Sequence, residues 1–126
     1  MKRLAILLAL CATAQAAPPD SFIRALHIVE TSGRTGAIIG DGGRALGPLQ
    51  IHRAYHADAR IGGDYSRCAD LDYSKRVVSA YLQRYAPAAW ASGDVTTLAR
   101  IHNGGPKGAT KTATVSYGDK VARLTK

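Results

Sequence analysis

Apolar residues at Phe22, Ile23, Leu26 and Val29 recur at the spacing of one helix face. The spacing predicts a helix that starts at Asp20 or Ser21, either of them a good N-cap after Pro18-Pro19, and runs to Glu30 or Thr31 before Gly33 stops it. From Thr35 to Ile51 the pattern changes. Gly36, Gly40, Gly42, Gly43 and Gly47 exclude a helix, Ala37-Ile38-Ile39 reads as extended chain, and Asp41-Gly42 is a hairpin turn signal. This segment predicts a small twisted ribbon of two or three strands. His52 to Arg60 reads as a short helix ended near Gly62-Gly63. Asp72 or Ser74 can cap the next helix, whose apolar face is Val77, Val78, Tyr81, Leu82 and Tyr85, with Pro87 just beyond its end. Asp94 caps a further helix that turns Val95, Leu98 and Ile101 inward, and Asn103-Gly104-Gly105-Pro106 ends it abruptly. Tyr117, Val121 and Leu124 predict a last short helix. The sum is an α+β chain, mostly helical, with one small β element after the first helix. Internal repeats, low-complexity tracts and domain linkers are absent.

The segment before Pro18 does not fit this pattern. Lys2-Arg3 precede an uncharged apolar run from Leu4 to Ala12, and Ala14-Gln15-Ala16 then offers small residues for cleavage. This is the layout of a secretory signal peptide over residues 1–16. The run is shorter than the ~20 apolar residues that span a bilayer. The expected mature domain is 17–126, secreted or periplasmic and without a membrane anchor. Its one cysteine, Cys68, excludes an intramolecular disulfide, so stability rests on packing and Cys68 reads as a structural thiol.

Net charge is +8 and falls to +6 without Lys2 and Arg3. A basic balance favours anionic partners at long range. Lys and Arg are not interleaved with aromatics, and zinc-finger spacing and recognition-helix signatures are absent, which argues against nucleic acid. For an exported chain, an anionic cell wall is the natural target.

Two carboxylates carry the candidate chemistry. Glu30 lies at the C-terminal end of an apolar helix, where desolvation and the negative end of the helix dipole both favour the protonated form. A carboxyl that holds its proton at neutral pH is the general acid of glycosidic cleavage. Asp41 lies eleven residues later on the glycine-rich turn, where a carboxylate stays solvated and ionised. Gln50 is a polar residue in an apolar stretch, able to reach substrate or a catalytic loop. Asn103, within His102-Asn103-Gly104-Gly105-Pro106, offers hydrogen bonds to the acetamido or hydroxyl groups of a sugar. His27, His52, His56 and His102 show no spacing that commits to a metal. His52 and His56 share a helix face but lack a third ligand, and no nucleophile elbow is present.

These pieces resemble the invertebrate-type, or destabilase-like, lysozymes over Ala25 to Leu124. The most specific part is Ala99 to Gly108, which is similar to the family's Arg-x-His-Asn-Gly-Gly-Pro-x-Gly corner. Tyr117-Gly118-Asp119-Lys120-Val121, Gly47-Pro48-Leu49-Gln50-Ile51 and Tyr81-Leu82-Gln83-Arg84-Tyr85-Ala86 resemble further family segments. Glu30-Thr31-Ser32-Gly33 matches the family's Glu-Ser-Gly with one residue inserted. The resemblance implies a lysozyme-like fold and hydrolysis of the β-1,4 bond between N-acetylmuramic acid and N-acetylglucosamine. Glu30 would be the general acid and Asp41 the nucleophile or stabiliser. Gln50, Tyr81, His102, Asn103 and Gly104 would bind substrate, and a monomer would act on peptidoglycan strands with no cofactor and no metal. Two departures stand out: the family is rich in disulfides, and its serine-rich turn is replaced here by Gly43-Arg44-Ala45-Leu46, so the isopeptidase activity of some members is not carried over.

Two other readings share these residues. A lytic transglycosylase would use Glu30 alone and leave a 1,6-anhydro end. A non-catalytic peptidoglycan-binding module would keep the groove without cleavage.

Overall fold

The computed structural model describes residues 17–126; the expected signal peptide, 1–16, lies outside the described residues. Six helices surround one core: α1 (Asp20–Thr31), α2 (Arg53–Ala59), α3 (Leu71–Tyr85), α4 (Pro87–Ser92), α5 (Val95–Gly104) and α6 (Val115–Thr125). Between α1 and α2 lies an antiparallel sheet of strands β1 (Ile39–Gly40), β2 (Ala45–Leu46) and β3 (Ile51–His52) in sequential order. Its register pairs Ile39 with Leu46, Gly40 with Ala45, Ala45 with His52 and Leu46 with Ile51. The α+β expectation, with a small ribbon after the first helix, matches this arrangement.

The helical periodicities turn the expected residues inward. Phe22 and Leu26 on α1, Val77, Val78 and Leu82 on α3, Leu98 on α5 and Val121 on α6 are fully buried, joined by Leu49 and Ile51 from the sheet side. Helices α1 and α6 run antiparallel. Ser21 Oγ donates to the carbonyl of Thr125 at 2.7 Å at one end, and Tyr117 meets Glu30 at the other. Cys68 is buried and its thiol is pushed up to about 11 by burial, which keeps it protonated and unreactive at neutral pH.

Several local expectations need correction. Neither Asp20 nor Ser21 caps α1: Pro19 holds that position without a side-chain bond, and Ser21 is used instead to tie α1 to α6. Helix α3 is capped by Asp70, which accepts from the backbone N–H groups of Asp72 and Tyr73. Asp72 and Ser74 therefore lie inside the helix. His52 belongs to β3 rather than to α2. Pro87 does not merely follow α3; it opens α4, because a proline at the first helical position loses no hydrogen bond. Leu124 lies on the solvent side of α6, and Thr125 is buried in its place.

Candidate active site

The site lies in a cleft of about 690 Å³ between the sheet and the helices, lined in part by Glu30, Asp41, Gln50, Tyr81 and the corner Asn103 to Pro106. Glu30 and Asp41, two of the three carboxylates that line it, arrive from opposite sides. Helix α1 brings Glu30, and the end of that helix is anchored by Thr31, whose buried hydroxyl donates to the carbonyl of Pro48 at 2.8 Å. Ser32 then takes a left-handed conformation that closes the helix.

The Glu30 side chain is only 19% exposed. Its Oε1 accepts from Tyr117 Oη at 2.6 Å and faces His102 Nε2 at 3.5 Å. Burial pushes the Glu30 carboxyl up, as the helix-end argument anticipates. The hydrogen bond and charge of His102, the Tyr117 hydroxyl and the charge of His52 pull it down, and the net result lies below the ordinary carboxylate value. The expectation of a raised value is thereby corrected. It weighed only what α1 supplies, whereas the opposing donors come from α5 and α6. Burial and the neighbouring Glu30 carboxylate push Tyr117 far upward, so it remains a donor.

Asp41 is held differently. It sits in a tight turn between β1 and β2 with φ of +49°, a conformation that short polar side chains tolerate. Its side chain is 47% exposed, with Oδ1 accepting from Arg44 Nη2 and Oδ2 facing His52 Nε2, both at 3.0 Å. His52 thus bears on both Asp41, through the 3.0 Å contact of Nε2, and Glu30, which its charge pulls down. His56 turns instead to Tyr73 Oη at 2.7 Å, so the two histidines do not converge. Among the described residues no group of three or more His, Cys, Asp or Glu is arranged to hold a metal ion.

The remaining expected residues divide between lining and support. Asn103 and Gly104 form the edge of the cleft at the end of α5. Gln50 lines the cleft, but its Nε2 donates to the carbonyls of Ile38 and Gly47, tying the segment that enters β1 to the turn between β2 and β3. Gly40 makes room for the Gln50 side chain, since a Cβ there would fall 1.8 Å from Gln50 Oε1, and Gly47, with φ of +84°, makes room for the Cys68 backbone, whose carbonyl oxygen would lie 1.8 Å from a Cβ. Tyr81 is buried against Tyr55, with ring centroids 3.6 Å apart and planes 12° from parallel. Burial, Tyr85 and the Asp58 carboxylate push its hydroxyl up to about 12. His102 is 3% exposed, with Nδ1 2.9 Å from Tyr55 Oη. It forms the floor beneath Glu30 rather than an open sugar contact.

Four residues at or beside the cleft escaped the sequence reading: His52 as a partner of Asp41, Tyr55, Asp58 and Tyr117. The sequence signal for Tyr117 was its helical spacing with Val121, which is equally the signature of a core position.

No protein-family model matches the chain. Individual relatives do. A lysozyme of Meretrix lusoria is 34% identical over 85 residues, covering 66% of this chain and 70% of that protein. The invertebrate-type lysozyme 6 of Caenorhabditis elegans is 33% identical over 95 residues, covering 66% and 69%. The inhibitor-bound crystal structure of the Meretrix lusoria lysozyme superimposes with a TM-score of 0.72 at 28% identity, over 84% of this chain and 89% of that one. The chain belongs to the invertebrate-type lysozyme family. Its lysozyme-like fold is therefore shared by homology as well as by shape. A lysozyme of Ostrea edulis reaches 40% identity over 84 residues, 63% of this chain, and the match spans 61% of that protein's length.

Proposed function

We propose that this chain is a lysozyme that hydrolyses the β-1,4 bond between N-acetylmuramic acid and N-acetylglucosamine in peptidoglycan. The observation that carries this reading is the cleft itself, which brings a largely shielded carboxyl, Glu30, and a half-exposed carboxylate, Asp41, to one surface sized for a saccharide. Glu30 protonates the leaving glycosidic oxygen as the C–O bond breaks. Asp41 supplies negative charge to the oxocarbenium-like transition state, a water molecule then bonds to the anomeric carbon, and its proton returns to Glu30. Sugar rings that fill the cleft strip water from Glu30, and that desolvation pushes the proton back onto a carboxyl otherwise held low. Asn103 and the Gly104 edge offer hydrogen bonds to the sugar substituents. The basic surface favours the anionic wall, and residues 1–16 direct the chain out of the cytoplasm, leaving a monomer that begins near Ala17.

The test is a peptidoglycan zymogram of wild type beside Glu30→Gln, with mass analysis of the products. Wild type clears the gel and yields ordinary reducing ends, while the variant loses at least ~10²-fold, the usual scale of general acid catalysis. Undiminished clearing by the variant refutes the role of Glu30. A 1,6-anhydro product replaces hydrolysis with the lytic reaction, and absence of clearing by wild type leaves a binding module.

A further inference from the structure

The two oxygens of Glu30 are not equivalent. Oε1 takes both protein contacts, from Tyr117 Oη at 2.6 Å and His102 Nε2 at 3.5 Å. Among the described residues Oε2 has no hydrogen-bond partner, and none of their side-chain oxygens or nitrogens is both buried and unpartnered. Oε2 is therefore open to the cleft that Glu30 lines.

His102 has a single constraint on its other nitrogen. Nδ1 lies 2.9 Å from Tyr55 Oη, and this is the only side-chain bond that hydroxyl makes among the described residues. Burial, Tyr81 and Glu30 all push Tyr55 well above the ordinary tyrosine value, so its hydroxyl keeps its hydrogen. That hydrogen has one acceptor, the Nδ1 lone pair. A second proton on the imidazole would have to occupy Nδ1 and turn the tyrosine hydrogen away from its only partner. The rings are held in place: Tyr55 stacks on Tyr81, and His102 meets the Tyr55 ring edge-on at 5.3 Å.

We infer that Tyr55 and His102 form a positioning relay: the Tyr55 hydroxyl fills Nδ1, so that His102 presents its Nε2 hydrogen to Oε1 of Glu30, and the transferable proton is left on Oε2, facing the bond to be cut. The charged groups around the carboxyl fit this division. Tyr117 from α6 donates to the same Oε1, while His52 from β3 acts across the cleft and is already paired with Asp41. Tyr55 and His102 are positioning residues that act through Glu30, and the catalytic part of the inference rests on the lysozyme reading above.

The tautomer is measured without activity, by ¹⁵N NMR of the His102 ring in the full chain at neutral pH. The expected spectrum has a hydrogen on Nε2 and a bare Nδ1; a proton on Nδ1 overturns the relay. The second measurement is the titration of the Glu30 side-chain carboxyl by ¹³C NMR, in variants shown by thermal melting to be folded. Tyr55→Phe keeps the stacked ring but frees Nδ1 for a second proton, so Glu30 titrates lower by about one pH unit. His102→Leu removes the donor to Oε1, so Glu30 titrates higher by about one unit. His102→Gln restores a neutral donor and recovers part of the kcat lost in His102→Leu with KM unchanged. Shifts in the same direction, no shifts, or Gln as poor as Leu overturn the inference. Failure of wild type to clear peptidoglycan overturns the lysozyme reading alone, because both NMR measurements stand without turnover.

Discussion

Glu30 and Asp41 line the same cleft, yet the two regions that hold them follow different rules. Glu30 is part of a wall of packed helices. Its partners come from distant parts of the chain, with Tyr117 87 residues away, and its side chain is largely shielded from water. Asp41 sits on a turn where Arg44 is three residues on and β3 is the adjoining segment of the sheet, and nearly half of its side chain meets solvent. Water screens the second carboxylate more than the first. The same kind of contact, a donor near a carboxylate oxygen, therefore matters far more at Glu30 than at Asp41. The helical wall sets protonation, and the ribbon presents charge.

The largest expected effect breaks the ribbon rather than its charge. Gly47→Ala forces a left-handed backbone on alanine and drives its Cβ into the Cys68 carbonyl. Chemical denaturation should show a loss of about 3 kcal/mol. A loss under about 0.5 kcal/mol would mean that the ribbon yields freely around Gly47.

Next in size is Tyr117→Phe. The residue touches Glu30 but is not part of the cleft lining, so kcat should fall about tenfold with KM unchanged. The sign of the pH effect follows from the lost donor. Without it the Glu30 carboxylate is less stabilised, the acid form persists further, and the alkaline limb of activity moves to higher pH. A limb that stays in place would show that the helical wall does not tune Glu30 through this bond.

In wild type the general acid works only when protonated, so activity is lost as pH rises through the Glu30 pKa. The net downward shift in the free protein places the kcat/KM limb on the acid side, and desolvation by bound sugar places the kcat limb above it. Coincident limbs would show that substrate does not change the environment of Glu30.

The smallest effect belongs to Arg44→Ala. The ion pair with Asp41 is exposed, so stability should change by less than about 0.5 kcal/mol, and any loss of activity should fade with added salt. A loss as large as that of Tyr117→Phe would erase the distinction between the two regions.

Much of the fold was legible because the cues are local. The periodicities of α1, α3, α5 and α6 show in neighbouring letters, as do the Asp94 cap and the glycine-rich turn. Where one residue type serves two roles, the local reading slipped. Pro87 can end a helix or begin one, and Asp70 and Asp72 are both good caps. Glu30 and Asp41 stood out as a carboxyl on an apolar helix and a carboxylate on a turn. His52, Tyr55 and Tyr117 did not, because a residue whose importance is a contact across the fold looks like any surface or core residue in the sequence.

The sequence by itself determined the helices α1, α3, α5 and α6, the small ribbon after the first helix, the absence of a disulfide within the expected mature domain and the two carboxylates worth watching, since each depends on residues within a few positions of one another. Tertiary structure alone decided the direction in which Glu30 titrates, the pairing of Asp41 with His52 and the burial of His102 beneath the cleft. Those outcomes are sums of desolvation and hydrogen bonds from α1, α5, α6 and β3. Such sums exist only once packing has brought the elements within a few ångströms and removed the water between them.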